Sequence, residues 1–350
     1  MKRMVLPAAL AAAALLTLAT ASPAAAAEPH PLFAASEPIH LTIKGPVGKL
    51  PRKGSDDVTA PGSLTVQGPA PESLAITLST RGITRRKADV CSFPPLRVEF
   101  VEKPPATSLF KGQKRLKLVT HCQSQASFQQ YVLLEYSAYR MYNLLTPVSF
   151  DARLATIDYV DNAGRPVTTR VGYFIEDVDD VAKRNDLERL RTQDMLTIPQ
   201  LNPHDAERFA IFQYMIGNLD WAMTAGPAGT DCCHNSRPLA AADAKANLTP
   251  TPYDFDFSGM VDAPYATPPE GIKLANVRIR KYRGYCRHNE QASGVAAEFI
   301  AHKAAILGVL DQTPQLDEDR RKKASAYLTS FFDQIGNPQE LAKLLKGCLG

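Results

Sequence analysis

The chain has no G-x-G-x-x-G, no C-x-x-C, no internal repeat and no strong excess of either charge. Each absence removes a class of function. The formal charge is +4, and two of the cations, Lys2 and Arg3, stand at the extreme N-terminus. The remainder is close to balanced, without the concentrated basic surface that nucleic-acid binders show. The basic run Arg320–Lys323 directly follows Asp317, Glu318 and Asp319, which reads as a solvated helix face. Lack of paired cysteines at metal spacing argues against a structural zinc site. Lack of a glycine-rich phosphate loop means that any phosphate would need side-chain cations to hold it. After the first apolar stretch no segment is long and apolar enough to span a bilayer, so the mature chain is expected not to insert stably in one.

That first stretch is itself informative. Lys2 and Arg3 precede an uncharged, Ala-rich run from Val5 to Ala21, and Ala25-Ala26-Ala27 offers a cleavage site before Glu28. Residues 1–27 therefore read as a secretory signal, and the expected location is exported, periplasmic or extracellular. All six cysteines follow it, and an even number in an exported chain favours disulfides. Cys91 and Cys122 each follow a candidate strand of the same region and are expected to pair. One of the adjacent Cys232 and Cys233 is expected to pair with Cys286.

Residues 28–72 are rich in Pro and Gly. Apart from a short alternating segment at Ile39–Ile43, they read as irregular chain. Period-two alternation predicts strands at 74–79, 96–100 and 116–119, and a hairpin of 153–160 and 167–175 around Asp161-Asn162-Ala163-Gly164. Residues 128–145 contain neither Gly nor Pro and are apolar on every side, the mark of a buried helix. Further helices are predicted at 203–217, 295–310, 318–335 and 338–345, with a short strand at 251–257. Residues 73–350 are thus expected to form an α+β domain, sheet-rich in its first part and helical in its second.

The densest polar cluster runs from Gly217 to Gly259, through GNLDW, CCHN and YDFDFSG. Asp220 follows a helix end. Asp254 and Asp256, two apart on a predicted strand, would share one face, with Phe255 and Phe257 turned to the core. Like charges that close call for a cation or a proton, and a hard divalent ion such as Mg²⁺ suits carboxylate oxygens. Each element alone has a plainer reading, as a helix terminus, a polar loop or a solvated strand edge. Their order, an Asp, then an Asn, then a further Asp, is that of base and metal ligands in kinase-type phosphoryl transfer. Upstream, Lys117 lies in a strand between Leu116 and Leu118, Glu176 ends the hairpin, and Arg81 opens a basic loop suited to phosphate.

In this order the segments LSTRG, KRLKLVTHC, QQYVLLEYSAYRMYNLL, GYFIEDVDD, GNLDW, CCHN and PYDFDFSG resemble the CotH kinase-like family of secreted atypical kinases, over roughly 74–310. The resemblance implies a bilobal atypical protein-kinase-like fold, with a sheet-rich N-lobe and a helical C-lobe. It further implies binding of ATP with Mg²⁺ or Mn²⁺ and transfer of phosphate to Ser or Thr of exported proteins. Lys117 would hold the α- and β-phosphates, Glu176 would orient it, and Asp220 would be the base. Asn235, Asp254 and Asp256 would bind metal. The chain departs from the family in having Trp221-Ala222-Met223 after Asp220, without the His often found there. Nucleotidyl transfer to protein on the same residues, or a non-catalytic envelope role, are the alternatives.

Overall fold

The structure is a computed structural model that describes Met1 and residues 30–52, 58–68, 70–227 and 229–350. The expected signal segment lies outside the described residues. Seven strands close into a barrel: β1 (Ile39–Lys44), β2 (Ala60–Val66), β3 (Glu72–Thr80), β4 (Leu96–Phe100), β5 (Arg115–Val119), β6 (Ala152–Val160) and β7 (Pro166–Ile175). They run in the order β1-β2-β3-β4-β5-β7-β6. All neighbours are antiparallel except β1 and β6, whose parallel pairing from Ile39↔Ala155 to Lys44↔Val160 closes the ring.

Alternation explains both faces. Leu96, Val98 and Phe100 of β4, with Leu116 and Leu118 of β5, point inward to a core that includes Leu41, Ile76 and Phe174. The hairpin strands are apolar on both sides. Ala155, Ile157 and Tyr159 fill the barrel, while Leu154, Tyr173 and Ile175 face outward into a second core. Gly172 allows the closest approach, since a Cβ there would lie 2.6 Å from the Val119 carbonyl oxygen.

The outward face carries α1 (Gln129–Asn143), buried nearly all round as expected. Helices α2 (Val178–Arg184) and α3 (Pro203–Ile216) follow. Asn202 caps α3, and Gly217 ends it at φ +69°. A side chain at Gly217 would strike the Tyr327 hydroxyl. Beside α3 lies a small sheet of β8 (Glu188–Arg189), β9 (Ser236–Ala240) and β10 (Thr249–Pro252), in the order β10-β9-β8. Helices α4 (Ala292–Ala301), α5 (Lys303–Gln312), α6 (Glu318–Ile335) and α7 (Pro338–Leu345) complete the second core.

Three expectations need correction. The bilobal kinase-like fold, a sheet lobe joined to a helical lobe, is not formed; the chain builds a closed barrel, with helices and a separate small sheet packed outside it. Closure depends on the N-terminal segment read as mostly irregular, which supplies both β1 and β2. The strand expected at 251–257 stops at Pro252, because Asp254 turns to φ +64°. Among the described residues no single helix is long and apolar enough to cross a membrane, although one pair bent by 48°, Cys286–Ala301 with Lys303–Gln312, reaches that length and apolarity together.

Three disulfides are present, consistent with an oxidising compartment. Cys91–Cys122 is the expected pair. The other expectation fails: Cys232 joins its neighbour Cys233, and Cys286 joins Cys348.

Candidate functional site

A cleft of about 630 Å³ lies between the outer face of β4 and β5 and the small sheet. Arg81 and Arg85 enter it from the β3–β4 loop, Arg97 from β4, Lys117 from β5, and Arg189 and Arg237 from the small sheet. Asp220, Asp231, Asp254 and Asp256 face the same space. Of the sequence-selected residues, the cleft brings together Arg81, Lys117, Asp220, Asn235, Asp254 and Asp256. Glu176 is not among its lining residues.

Lys117 points outward because its neighbours Leu116 and Leu118 fill the barrel. Burial, with Arg81 and Arg237 nearby, pulls its ammonium down to about 8, against Asp177 and Asp254. The ammonium lies 5.4 Å from the Tyr253 ring centroid, and the Arg237 guanidinium lies 4.6 Å from the same ring. Arg81 Nε is buried without a hydrogen-bond partner. The cleft therefore gathers positive charge that is incompletely satisfied within the protein, a setting that favours an oxyanion.

Glu176 is committed elsewhere. Its carboxylate accepts from Arg184 Nε at 3.0 Å, from Arg184 Nη2 at 3.1 Å and from the Asp151 amide at 2.9 Å. Burial pushes it up to about 7, and Arg184 opposes that shift. These bonds tie β7 to α2 and to the start of β6, which makes Glu176 a structural clasp.

Asp220 sits where the turn after α3 is held from several sides. Its amide donates to Asn218 Oδ1 at 3.0 Å, and Trp221 Nε1 donates to the Asn218 carbonyl at 2.9 Å. One carboxylate oxygen meets His234 Nε2 at 2.7 Å and the other accepts from Asn235 Nδ2 at 3.1 Å. The bond to Asp220 is the main reason that the His234 imidazolium is held above its usual range. Asn235, at φ +48°, thus fastens Asp220 through its carboxylate and through its carbonyl, the latter at 2.6 Å.

The carboxylate cluster has a member that sequence reasoning missed. Glu135 of α1 joins Asp254 and Asp256, with oxygens all within 4.8 Å of one another, an arrangement that can hold a metal ion. The Asp254 amide donates to the Tyr139 hydroxyl at 2.9 Å, and Phe255 anchors the turn in the core. Phe257, expected in the core, instead lines the cleft. Arg85 lies within the cluster, 3.3 Å from Glu135, 3.2 Å from Asp256 and 3.9 Å from Asp254. Burial raises the Asp256 and Glu135 carboxyls, with the other acidic groups adding to it and Arg85 opposing. Glu135 Oε1 is buried without a hydrogen-bond partner; the Tyr173 hydroxyl favours its charged form but lies outside hydrogen-bond geometry. An all-oxygen donor set with an unpartnered carboxylate oxygen fits a hard divalent cation. Glu135 left one signal in the sequence: a carboxylate in a helix expected to be buried all round must have a partner.

Replacing Lys117 with Met is expected to raise the melting temperature of the ligand-free protein at pH 7. The folded-state value lies below the ordinary one, so the unfolded chain holds the extra proton between pH 8 and that ordinary value. Wild-type stability rises with pH across this window, and the advantage of Met should shrink there. Thermal melts from pH 6 to about 10 check this. A lower melting temperature for the Met variant at pH 7 would make Lys117 a net stabilising contact instead.

No protein-family model matches the chain, and no curated protein matches it. The chemistry of the cleft carries the functional argument.

Proposed function

We propose that the chain is an exported metal-dependent phosphotransferase, moving a phosphoryl group from a nucleoside triphosphate such as ATP to a Ser or Thr hydroxyl of an exported protein. One observation carries the reading: Lys117, Arg81, Asp220, Asp254 and Asp256, spread over 81–256 of the sequence, line a single cleft. The order of the motifs that resembles the CotH kinase-like family adds to it. The closed barrel means that the proposal rests on the site and borrows nothing from a kinase fold.

Each residue has a task that its surroundings suit. Lys117 and Arg81 neutralise phosphate oxygens, and Arg237, stacked at 4.6 Å on the Tyr253 ring, lines the same cleft. Asp220, whose two oxygens are fixed by His234 and Asn235, would take the proton of an incoming hydroxyl. The hydroxyl oxygen bonds to the γ-phosphorus as the bond from that phosphorus to the β–γ bridging oxygen breaks; the diphosphate leaves with that electron pair. Glu135, Asp254 and Asp256 would hold Mg²⁺ or Mn²⁺, which supplies charge neutralisation for the phosphoryl oxygens when bound.

Parallel incubations with α- and γ-labelled ATP, Mg²⁺ or Mn²⁺ and a panel of exported proteins test this. Label transferred from the γ position alone is the expected result. Label transferred from the α position would establish nucleotidyl transfer. Metal with nucleotide at about 100 times its dissociation constant should also stabilise the protein by about 3 kcal/mol. No transfer and no stabilisation would leave a non-catalytic envelope protein.

A further inference from the structure

The carboxylate cluster already contains a cation, and its position has a consequence for how a metal can bind. Arg85 is buried and contacts Glu135, Asp254 and Asp256 at 3.3, 3.9 and 3.2 Å. Those carboxylate oxygens lie within 4.8 Å of one another, so a divalent ion taking one oxygen from each would stand only a few ångströms from the guanidinium. With its three carboxyls ionised, the state that a bound cation favours against the upward push of burial on Asp256 and Glu135, the cluster would carry two negative charges beyond Arg85, the charge that a divalent ion would cancel. The unpartnered Glu135 Oε1 leaves donor capacity for it. Attraction to the carboxylates and repulsion from Arg85 therefore oppose each other at one place.

An anion resolves that opposition. A phosphoryl group in the adjoining cleft can face a metal ion with one oxygen and the guanidinium with another, turning their mutual repulsion into shared attraction. Arg81 and Lys117 lie in the same cleft, where the anion's remaining charge can be met. We propose that Arg85 makes divalent-metal binding conditional on a phosphate-type anion, so that the two ligands bind cooperatively; this rests on the metal-site reading above. Linkage requires the effect to be mutual: the metal must tighten anion binding by the same factor. A free divalent ion in the exported space would then seldom occupy the site without its phosphate partner.

Mn²⁺ binding to the full chain tests this, with free ion followed by electron paramagnetic resonance and inorganic phosphate as the anion probe. Phosphate should tighten Mn²⁺ binding to wild type by about tenfold or more. Arg85→Gln should bind Mn²⁺ alone about tenfold more tightly than wild type, with phosphate adding less than about threefold. Should that variant fail to fold, Arg85→Met, which keeps aliphatic bulk without the charge, replaces it, and the wild-type comparison stands independently. If wild type binds Mn²⁺ but phosphate leaves its affinity unmoved, the coupling is refuted while the metal site survives. The coupling is equally refuted, as a property of Arg85, if the neutral variant keeps it in full. If wild type binds no Mn²⁺ with or without phosphate, the metal-site reading falls and the coupling falls with it.

Discussion

Asp220→Asn should reduce phosphoryl transfer by about 10²–10⁴-fold while leaving nucleotide-induced stabilisation nearly intact. The substitution keeps the side chain's shape and one acceptor oxygen, so the turn set by Asn218, Trp221 and the Asn235 contact should persist. What it removes is the ability to receive a proton in the transition state, which lowers turnover more than ground-state affinity. The competing view treats Asp220 as one more polar group in a hydrogen-bonded turn. On that view the variant loses about 1 kcal/mol of stability and transfers normally. Steady-state kinetics and thermal melts on the same preparation separate the two. Turnover within about threefold of wild type would remove Asp220 from the base role.

Most of the regular structure was legible because its periods are local. The strands at 96–100 and 116–119 and the helices at 318–335 and 338–345 coincide with their expected spans to within a residue. The pattern at 295–310 predicts one helix, yet the chain breaks at His302 between α4 and α5. The barrel was not legible, and the reason is physical. Its closure pairs residues more than a hundred positions apart, β1 with β6, and no local pattern reports such a contact. Moreover β2 begins Ala60-Pro61-Gly62, which on composition alone reads as a turn. A side chain at Gly62 would come within 2.5 Å of the Lys44 carbonyl oxygen, so tight pairing with β1 demands that glycine.

The site divides in the same way. Residue order identified Lys117, Asp220 and the Asp254–Asp256 pair, and the fold brings them to one cleft. The two carboxylates meet because Asp254 adopts a left-handed turn and both face Arg85, whereas a shared strand face was expected. The place of Glu176 at a strand end suggests a cleft-facing carboxylate, but Arg184 on α2 contacts both its oxygens. Glu135 and Arg85 carry no local signal of their pairing, because their partners lie 50 positions or more away in sequence. Ion pairs of this kind follow from packing, and packing here follows from a closure that the local pattern does not show.

The Cys286→Ser/Cys348→Ser double variant should be the least stable of the cysteine variants. That bridge spans 62 residues, and in the chain-entropy account removing such a loop constraint costs about 4 kcal/mol. The Cys232–Cys233 bridge joins sequence neighbours and closes no comparable loop, so its double serine variant should lose far less through that route. Local contacts reinforce the contrast. The Cys286 amide donates to the Leu349 carbonyl at 2.9 Å, and the Leu349 amide to the Gly284 carbonyl at 2.8 Å, fastening the C-terminus to the segment that carries Arg283. Arg283 in turn donates to the Leu219 and Trp221 carbonyls on either side of Asp220. Loss of the long bridge should therefore loosen the Asp220 turn as well as the fold. Urea unfolding of wild type and both variants gives the stabilities, and hydrogen exchange at Asp220–Ala222 reports the turn. A larger loss from the Cys232/Cys233 variant would mean that this pair is a structural keystone of the cleft and that chain entropy is not the governing term.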